Sequence, residues 1–118
     1  TPFKADLFLN RKAVDFLEIT ADHFFGEKSP ATPDSPEGRD LALLAAHFKL
    51  IPHGLNLSLG SAEGLDVAYL KQLAAVVEAV SPAYWSEHIA LTRAGGVEVG
   101  HLSPVVFSRE SLDVMVSN

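Results

Sequence analysis

Apolar residues recur along this chain at two spacings, one typical of helices and the other of strands. The clearest helical pattern covers residues 65–80, where apolar side chains return to one face. The residues on that face are Leu70, Leu73, Val77 and Val80. Ser81 and Pro82 follow directly, and a helix rarely continues into the residue before a proline. We therefore predict a helix over residues 65–80.

Three shorter apolar segments have the length and composition of β-strands. They cover residues 13–20, 48–53 and 83–90. In the first segment, Glu18 and Thr20 are two residues apart and therefore share a face of the strand. In the second, Pro52 has no N–H group to donate to a ladder, so this strand should be ending where His53 begins. His53 is thus expected at the carboxyl end of a strand.

The remaining helices are predicted from their first residues. Residues 2–9 carry apolar side chains at near-helical spacing, and Pro2 is tolerated in a first turn. Ser35, Pro36 and Glu37 have the pattern of an N-cap, a first-turn proline and a first-turn acid, which predicts a helix from there to about residue 47. Ser108 is expected to cap a last helix that reaches residue 115.

The elements follow one another in the order helix, strand, helix, strand, helix, strand, loop, helix. Residues 26–38 are rich in Pro, Ser and Gly and predict a loop, and residues 93–96 predict a turn. Strands that alternate with helices favour a parallel sheet joined by right-handed crossovers. We find neither a repeat nor a domain boundary, so the fold class is α/β in a single domain.

Composition narrows the range of functions. The chain has 118 residues and a formal net charge of −6, with its nine basic residues scattered. Binding to nucleic acid depends on clustered Lys and Arg, so a nucleic-acid groove is not expected. No apolar run approaches the ~20 residues of a membrane span, and no secretory signal opens the chain, so a cytoplasmic location is the default expectation. Cysteine is absent, which leaves His, Asp, Glu and Asn as metal ligands.

Metal-binding and acid–base side chains gather where the three predicted strands end. They are Glu18, Thr20, Asp22 and His23 after the first strand, His53 and Asn56 after the second, and Glu87 and His88 after the third. In parallel α/β folds, reactive groups lie beyond the carboxyl ends of the strands. Imidazoles and carboxylates that converge from separate strands are what a metal centre requires.

Each of these side chains also has a structural interpretation. A Glu18 buried in its strand would need a cationic partner, which makes it either a structural ion pair or a site residue. Asp22 and His23 fit a surface loop, and His53 fits a histidine bonded to a carbonyl group. Residues 54–61 resemble a phosphate-binding loop that leads into a helix. They lack the P-loop lysine and the three-glycine fingerprint, so a plain strand-to-helix connection is favoured.

Four sequence segments resemble, in order and spacing, one known family. They are residues 15–19 (DFLEI), 53–61 (HGLNLSLGS), 86–88 (SEH) and 95–104. The family is domain-of-unknown-function family 692, whose characterised members are multinuclear non-haem iron oxidases similar to the methanobactin-biosynthesis enzyme. The resemblance implies a triosephosphate-isomerase-type barrel with two or three irons at its mouth. It further implies oxidation of cysteines in a ribosomally made peptide, often with a partner protein.

By this resemblance, His53 and Glu87 are the expected metal ligands, and Glu18, Asp22 and His23 are the expected catalytic residues that complete or orient the site. The family pattern has a His two residues beyond the first Glu, where this chain has Thr20. Asp22 or His23 would then have to replace that ligand. His101 also stands where the family more often has Asn, which indicates a divergent branch.

The length indicates part of a barrel. Eight strand–helix units take ~250 residues, whereas this sequence supplies about three strands, which is the pattern of an N-terminal-half fragment. Such a fragment would leave sheet edges open, so a homo-oligomer or contact with a missing half is expected. Two alternatives to the iron oxidase remain: a metal-dependent sugar isomerase or phosphoesterase on a similar barrel, and a non-catalytic binding or assembly module.

Overall fold

The computed structural model describes residues 2–26 and 33–118 of this mixed α/β protein. The helices are α1 Pro2–Leu9, α2 Pro36–Ala45, α3 Val67–Val80 and α4 Arg109–Ser117. The strands are β1 Leu17–Thr20, β2 Leu50–Gly54, β3 Ser86–Glu87, β4 Ala90–Ala94 and β5 Val97–Pro104. Strands β1, β2 and β3 form a parallel sheet in that order, and β4 and β5 form a separate antiparallel hairpin. The predicted parallel sheet is confirmed.

The core of the parallel sheet lies on one of its faces, against α2, α3 and the 3₁₀ turn at Ala21–Phe24. Its buried side chains are Ile19, Ala21, Leu41, Phe48, Leu50, Leu73 and Val76. Along β1 and β2, buried residues alternate with partly or fully exposed ones. This alternation is the two-residue period of a strand, and it leaves the second face of the sheet open to functional side chains.

Helix caps form where local side chains provide them. Ser35 accepts a hydrogen bond from the Gly38 N–H ahead of Pro36, and Asp66 accepts from the first N–H groups of α3. Ser108 caps α4 in the same way. Each side chain satisfies an N–H group that the first helical turn leaves free. The caps predicted at Ser35 and Ser108 are confirmed; α2 ends at Ala45 and α4 continues to Ser117.

The first two strands differ from their predicted limits. Residues 11–13 form a 3₁₀ turn, so β1 begins at Leu17 instead of residue 13. In β2, Pro52 is paired with Ile19 inside the strand, and the strand continues to Gly54. Pro52 therefore does not end the strand, although His53 still lies in its last two residues.

The predicted third strand divides into two elements. Its middle forms the short β3, and its last residue, Ala90, begins β4 of the hairpin. Gly95 and Gly96 form the turn of this hairpin with φ of 61° and 73°, the left-handed values that a two-residue hairpin turn requires. The turn itself was predicted correctly, but the strands on both sides of it were not.

Two further predictions concern helix α3 and the loop at residues 26–38. Leu73 is buried in α3 as predicted, whereas Leu70 is exposed and Val76 takes the second buried position. Val77 and Val80 pack against the core as predicted, so only Leu70 was misplaced. Residues 27–32 of the predicted loop lie outside the described residues. Among the residues that the structure describes, no helix is long and apolar enough to cross a membrane.

Candidate functional site at the carboxyl end of the parallel sheet

A row of polar side chains crosses the open face of the sheet near the carboxyl ends of its strands. Thr20 is paired with His53, and His53 is paired with Ser86. Residues in register on parallel strands direct their side chains to the same face, and Glu18 joins them because it is two residues before Thr20. The sequence thus places an imidazole, two hydroxyls and a carboxylate on one face.

A chain of hydrogen bonds fixes the orientation of the His53 ring. The Ser86 hydroxyl donates to Glu18 Oε1 at 3.2 Å, and His53 Nδ1 lies 2.8 Å from Ser86 Oγ. A serine hydroxyl has one proton, and here a carboxylate receives it, so Nδ1 must donate to Oγ. Glu18 Oε1 is also 3.6 Å from Nδ1. The tautomer assigned in this way leaves Nε2 of His53 with a free lone pair.

His88 is the partner of that free nitrogen. Its Nε2 is 2.9 Å from His53 Nε2, and the two rings meet edge to face with centroids 4.6 Å apart. His88 reaches this position because it lies two residues after Ser86, just beyond β3. The Nε2 atoms of two imidazoles therefore lie within hydrogen-bond distance of each other at the end of the sheet.

Glu87 lies on the opposite face from His53. It is paired with Gly54, and a Cβ added to Gly54 would overlap Glu87 Oε2. Its carboxylate accepts from the His88 N–H at 2.8 Å and the Leu57 N–H at 3.4 Å. Burial raises the pKa of this carboxyl above its usual range, and the two N–H groups partly offset the rise. In this structure the two predicted ligands, His53 and Glu87, do not face a common position.

Tyr69, from α3, organises the polar groups on the face of Glu87. Its hydroxyl accepts from the N–H groups of Leu55 and Asn56, each at 3.0 Å, and donates to Asp22 Oδ2 at 3.1 Å. Burial raises the pKa of this phenol far above its ordinary value. The hydroxyl therefore remains a donor at every physiological pH.

Asp22 and His23 occupy different environments after β1. The Asp22 carboxylate accepts from Tyr69 and from Asn56 Nδ2, the latter at 3.4 Å. His23 is exposed in the short 3₁₀ turn. Glu18, with a side chain 58% exposed, is neither buried nor in need of a cationic partner for burial. Of the three predicted catalytic residues, only Glu18 contacts the residues around His53 on the open face.

The segment after β2 is fixed to the hairpin by a serine. Ser58 is buried with a φ of 57°, and its Oγ accepts from the N–H groups of Thr92 at 3.0 Å and Arg93 at 3.2 Å. The β4–β5 ladder is irregular between Leu91 and Arg93, so these N–H groups need another acceptor. A strand-to-helix connection, the favoured interpretation of residues 54–61, is confirmed.

The donor set fits a transition metal in chemistry and spacing. A metal–nitrogen bond of about 2.1 Å places two ligands at right angles about 3 Å apart, close to the His53–His88 separation. A second-shell carboxylate that orients a ligating imidazole is typical of such centres. Within the described ranges, however, no group of three or more His, Asp or Glu side chains is arranged to hold a metal ion. The described residues therefore do not form a metal site by themselves.

The fold and the site together define an α/β protein with an imidazole pair at the carboxyl end of a parallel sheet. Over residues 1–118 the chain matches the family model for the RiPP precursor modification enzyme MbnB/TglH/ChrH. The chain therefore belongs to this family, which confirms the recognition made from the sequence. RiPPs are ribosomally made peptides that are modified after translation.

Relatives of similar sequence occur in several bacteria and carry the name UPF0276 protein. The protein of Vibrio parahaemolyticus is 31% identical over 108 residues, which cover 92% of this chain and 35% of the relative. The protein of Rhizorhabdus wittichii is 33% identical, and the match covers 90% of this chain and 36% of the relative. The protein of Streptomyces avermitilis is 34% identical, and the match covers 99% of this chain and 24% of the relative. The chain thus spans about a quarter to a third of the length of these relatives. No solved structure matches the chain.

Sequence reasoning missed two residues of this site, Ser86 and Tyr69, and it named His88 at a strand end without choosing it as a ligand. Ser86 and His88 stand two residues apart around Glu87, so strand alternation placed them on the face of His53 and Glu87 on the other. That spacing was a usable signal. Tyr69 had no such signal, because its link to Asp22 and to residues 55–56 depends on how α3 packs against the sheet.

Proposed function

We propose that this chain is part of a metal-dependent enzyme that oxidatively modifies cysteines of a ribosomally made precursor peptide, with iron as its metal. The observation that carries the proposal is the 2.9 Å separation of the His53 and His88 Nε2 atoms. Membership of a family of RiPP precursor modification enzymes supports the peptide substrate. The complete barrel, the partner protein and the cytoplasmic location remain predictions.

In this proposal His53 and His88 bind the metal through their Nε2 atoms. Ser86 holds the Nδ1 proton of His53 and so keeps the Nε2 lone pair directed outward, while Glu18 accepts from Ser86 and fixes the hydroxyl. Carboxylates that act through a hydrogen-bonded partner raise the basicity of a ligating imidazole. Glu18 is therefore an orienting residue.

The proposal gives different roles to the other predicted site residues, Glu87, Asp22 and His23. Glu87 remains a predicted ligand; to reach the metal on the open face, its side chain would have to leave the Leu57 and His88 N–H groups. Asp22 is held by Tyr69 at the same end of the sheet, and His23 is exposed to solvent beside it. Either side chain would replace the histidine ligand that the family has at the position of Thr20.

Iron, when bound, would supply activation of oxygen for the oxidation of a thiol. The chain itself contains no cysteine, so the thiol would belong to the peptide. The open face of the sheet leaves the imidazole pair accessible, since the helices pack on the other face. A peptide side chain can therefore approach the metal position from that face.

Metal analysis of the full protein, purified without chelator, tests the proposal. We expect iron in the wild type, and its loss in His53→Ala and in His88→Ala. His47→Ala is the matched control, because His47 is exposed two residues beyond α2 and its ring contacts Phe8. Incubation of the iron-loaded protein with a cysteine-containing precursor peptide and oxygen should change the mass of the peptide.

The alternatives give different results in the same measurements. Zinc or manganese at full occupancy, with no iron, would indicate the isomerase or phosphoesterase interpretation. A metal content that is unchanged in His53→Ala would remove the proposed centre. A binding or assembly module would then be the better description.

A further inference from the structure

The loop that follows His53 directs three successive backbone N–H groups toward side chains on the helix-packed face. The N–H groups of Leu55 and Asn56 donate to the Tyr69 hydroxyl, and that of Leu57 donates to Glu87. Consecutive N–H groups that converge in this way form a concave backbone site that usually needs an acceptor. Here α3 and β3 each provide one acceptor.

The Tyr69 hydroxyl is also fully satisfied. Its two lone pairs receive two N–H groups, and its single proton goes to Asp22 at 3.1 Å. The ring is held in turn by Phe25, which meets it edge to face at a centroid distance of 5.2 Å. Tyr69 thereby connects three elements: the turn after β1, the loop after β2, and α3.

We propose that Tyr69 is a positioning residue, whose hydroxyl fixes Asp22 and the loop after His53 relative to each other at the carboxyl end of the sheet. The part of this inference that concerns metal binding rests on the proposed function. The part that concerns the loop does not, because it follows from the hydrogen bonds of the Tyr69 hydroxyl alone.

Tyr69→Phe in the full protein tests the inference, because it keeps the ring and removes only the hydroxyl. The matched control is Tyr84→Phe, since Tyr84 is the second tyrosine of the sequence and is exposed. Amide hydrogen exchange, resolved by residue, is measured at Leu55 and Asn56, with Leu73 in the buried part of α3 as the internal reference.

We expect exchange at Leu55 and Asn56 to become about tenfold faster in Tyr69→Phe, the change expected when a part-buried hydrogen bond is lost. Leu73 should keep its wild-type rate, and Tyr84→Phe should leave all three rates unchanged. Equal acceleration at Leu73 would show a general loss of stability and overturn the positioning role. So would wild-type rates at Leu55 and Asn56 in Tyr69→Phe.

Iron affinity gives the second readout. We expect it to fall about 10- to 100-fold in Tyr69→Phe, the range seen when outer-shell partners of metal sites are removed. If the iron affinity of Tyr69→Phe is unchanged while its amides at Leu55 and Asn56 exchange faster, the proposed effect of Tyr69 on metal binding is overturned. If the wild type binds no iron, the proposed function fails, and the exchange rates still decide the role of Tyr69 in the loop.

A measurement on the wild type covers the case in which Tyr69→Phe does not fold. Leu55 and Asn56 lie outside regular secondary structure, yet both amides should be protected from exchange. Exchange at the rates of free peptides at both residues would overturn the inference without any variant.

Discussion

Two regions of the molecule are stabilised in different ways. The parallel unit, formed by β1, β2, β3, α2 and α3, contains the buried apolar cluster around Leu73 and Val76. The hairpin unit, formed by β4, β5 and α4, leaves large apolar side chains exposed, and Phe107 is fully so. Within the described chain, no residue of α4 is buried. Apolar packing thus dominates the first unit.

Polar contacts attach the hairpin unit to the rest. Ser58 accepts two N–H groups from β4, and the Gly60 N–H donates to the Ala90 carbonyl at 3.0 Å. The side chain of Asn118, after α4, donates to the carbonyls of Leu59 and Ser61. All of these contacts reach the segment after β2. The segment that follows the candidate site on β2 therefore connects the hairpin unit to the parallel unit.

The largest expected effect comes from the core of the parallel unit. Leu73→Ala should lower the free energy of unfolding by about 2 to 5 kcal/mol, because it removes buried methyl groups and leaves a cavity. Leu112→Ala, in α4, is the matched control, and it should change stability by about 0.5 kcal/mol or less, as usual for exposed positions. Chemical denaturation of both variants checks the difference. Equal losses would erase the contrast between the units.

The next effect concerns the serine that holds the hairpin. Ser58→Ala should cost about 1 to 3 kcal/mol, because two N–H groups, one of them on buried Thr92, lose their acceptor. Ser81→Ala is the control, since Ser81 also has a positive φ, 46°, but is exposed. Thermal unfolding gives the size of the loss. Hydrogen exchange should place it in β4, and a loss confined to α3 would contradict this assignment.

A smaller effect is expected from the ion pairs of the hairpin. Arg93 is 3.8 Å from Glu63 and 3.6 Å from Asp66, and it donates to the Gly64 carbonyl at 3.0 Å. Arg93→Met should cost about 1 kcal/mol or less, since both acids are partly exposed. Lys71→Met, on the exposed surface of α3, serves as control. The cost should shrink in high salt, and a cost independent of salt would indicate packing instead of charge.

The smallest effect is a pH dependence at Glu87, in β3 of the parallel unit. Burial raises its pKa in the folded protein. The contribution of this group to stability is therefore complete below its unfolded pKa and is lost as pH rises through its folded pKa. We expect the free energy of unfolding of the wild type to fall with rising pH in that window relative to Glu87→Gln. Glu78→Gln, on α3, should follow the wild type; parallel curves for all three would refute the assignment.

Local features were predicted well from the sequence. The caps at Ser35 and Ser108 each bond to an N–H group three residues later, so a short sequence pattern is enough to predict them. The parallel order also followed from alternation of elements. The β4–β5 hairpin was missed although the Gly95-Gly96 pair between strand-like residues is a hairpin signal. Only Ala90, the first residue of β4, was assigned to a strand, and the segment of β5 was assigned to a loop.

The candidate site was predicted in part. The strand ends were correctly identified as the place where polar residues gather, and His53 lies there. Glu87 stays a predicted ligand, but the alternation of side chains along a strand places it on the face opposite His53. The role of Tyr69 is a matter of tertiary packing, because 14 residues separate it from Leu55. No local pattern contains such a contact.

The absence of a side chain at residue 54 makes two positions interdependent. Gly54 has Glu87 Oε2 and the Tyr69 hydroxyl directly above its Cα. Alanine at 54 would therefore force the Glu87 carboxylate to move, and a shorter acid at 87, as in the double variant Gly54→Ala, Glu87→Asp, would relieve the overlap. Natural variation at these two sites should be coupled, and a pairwise mutational library would detect the compensation.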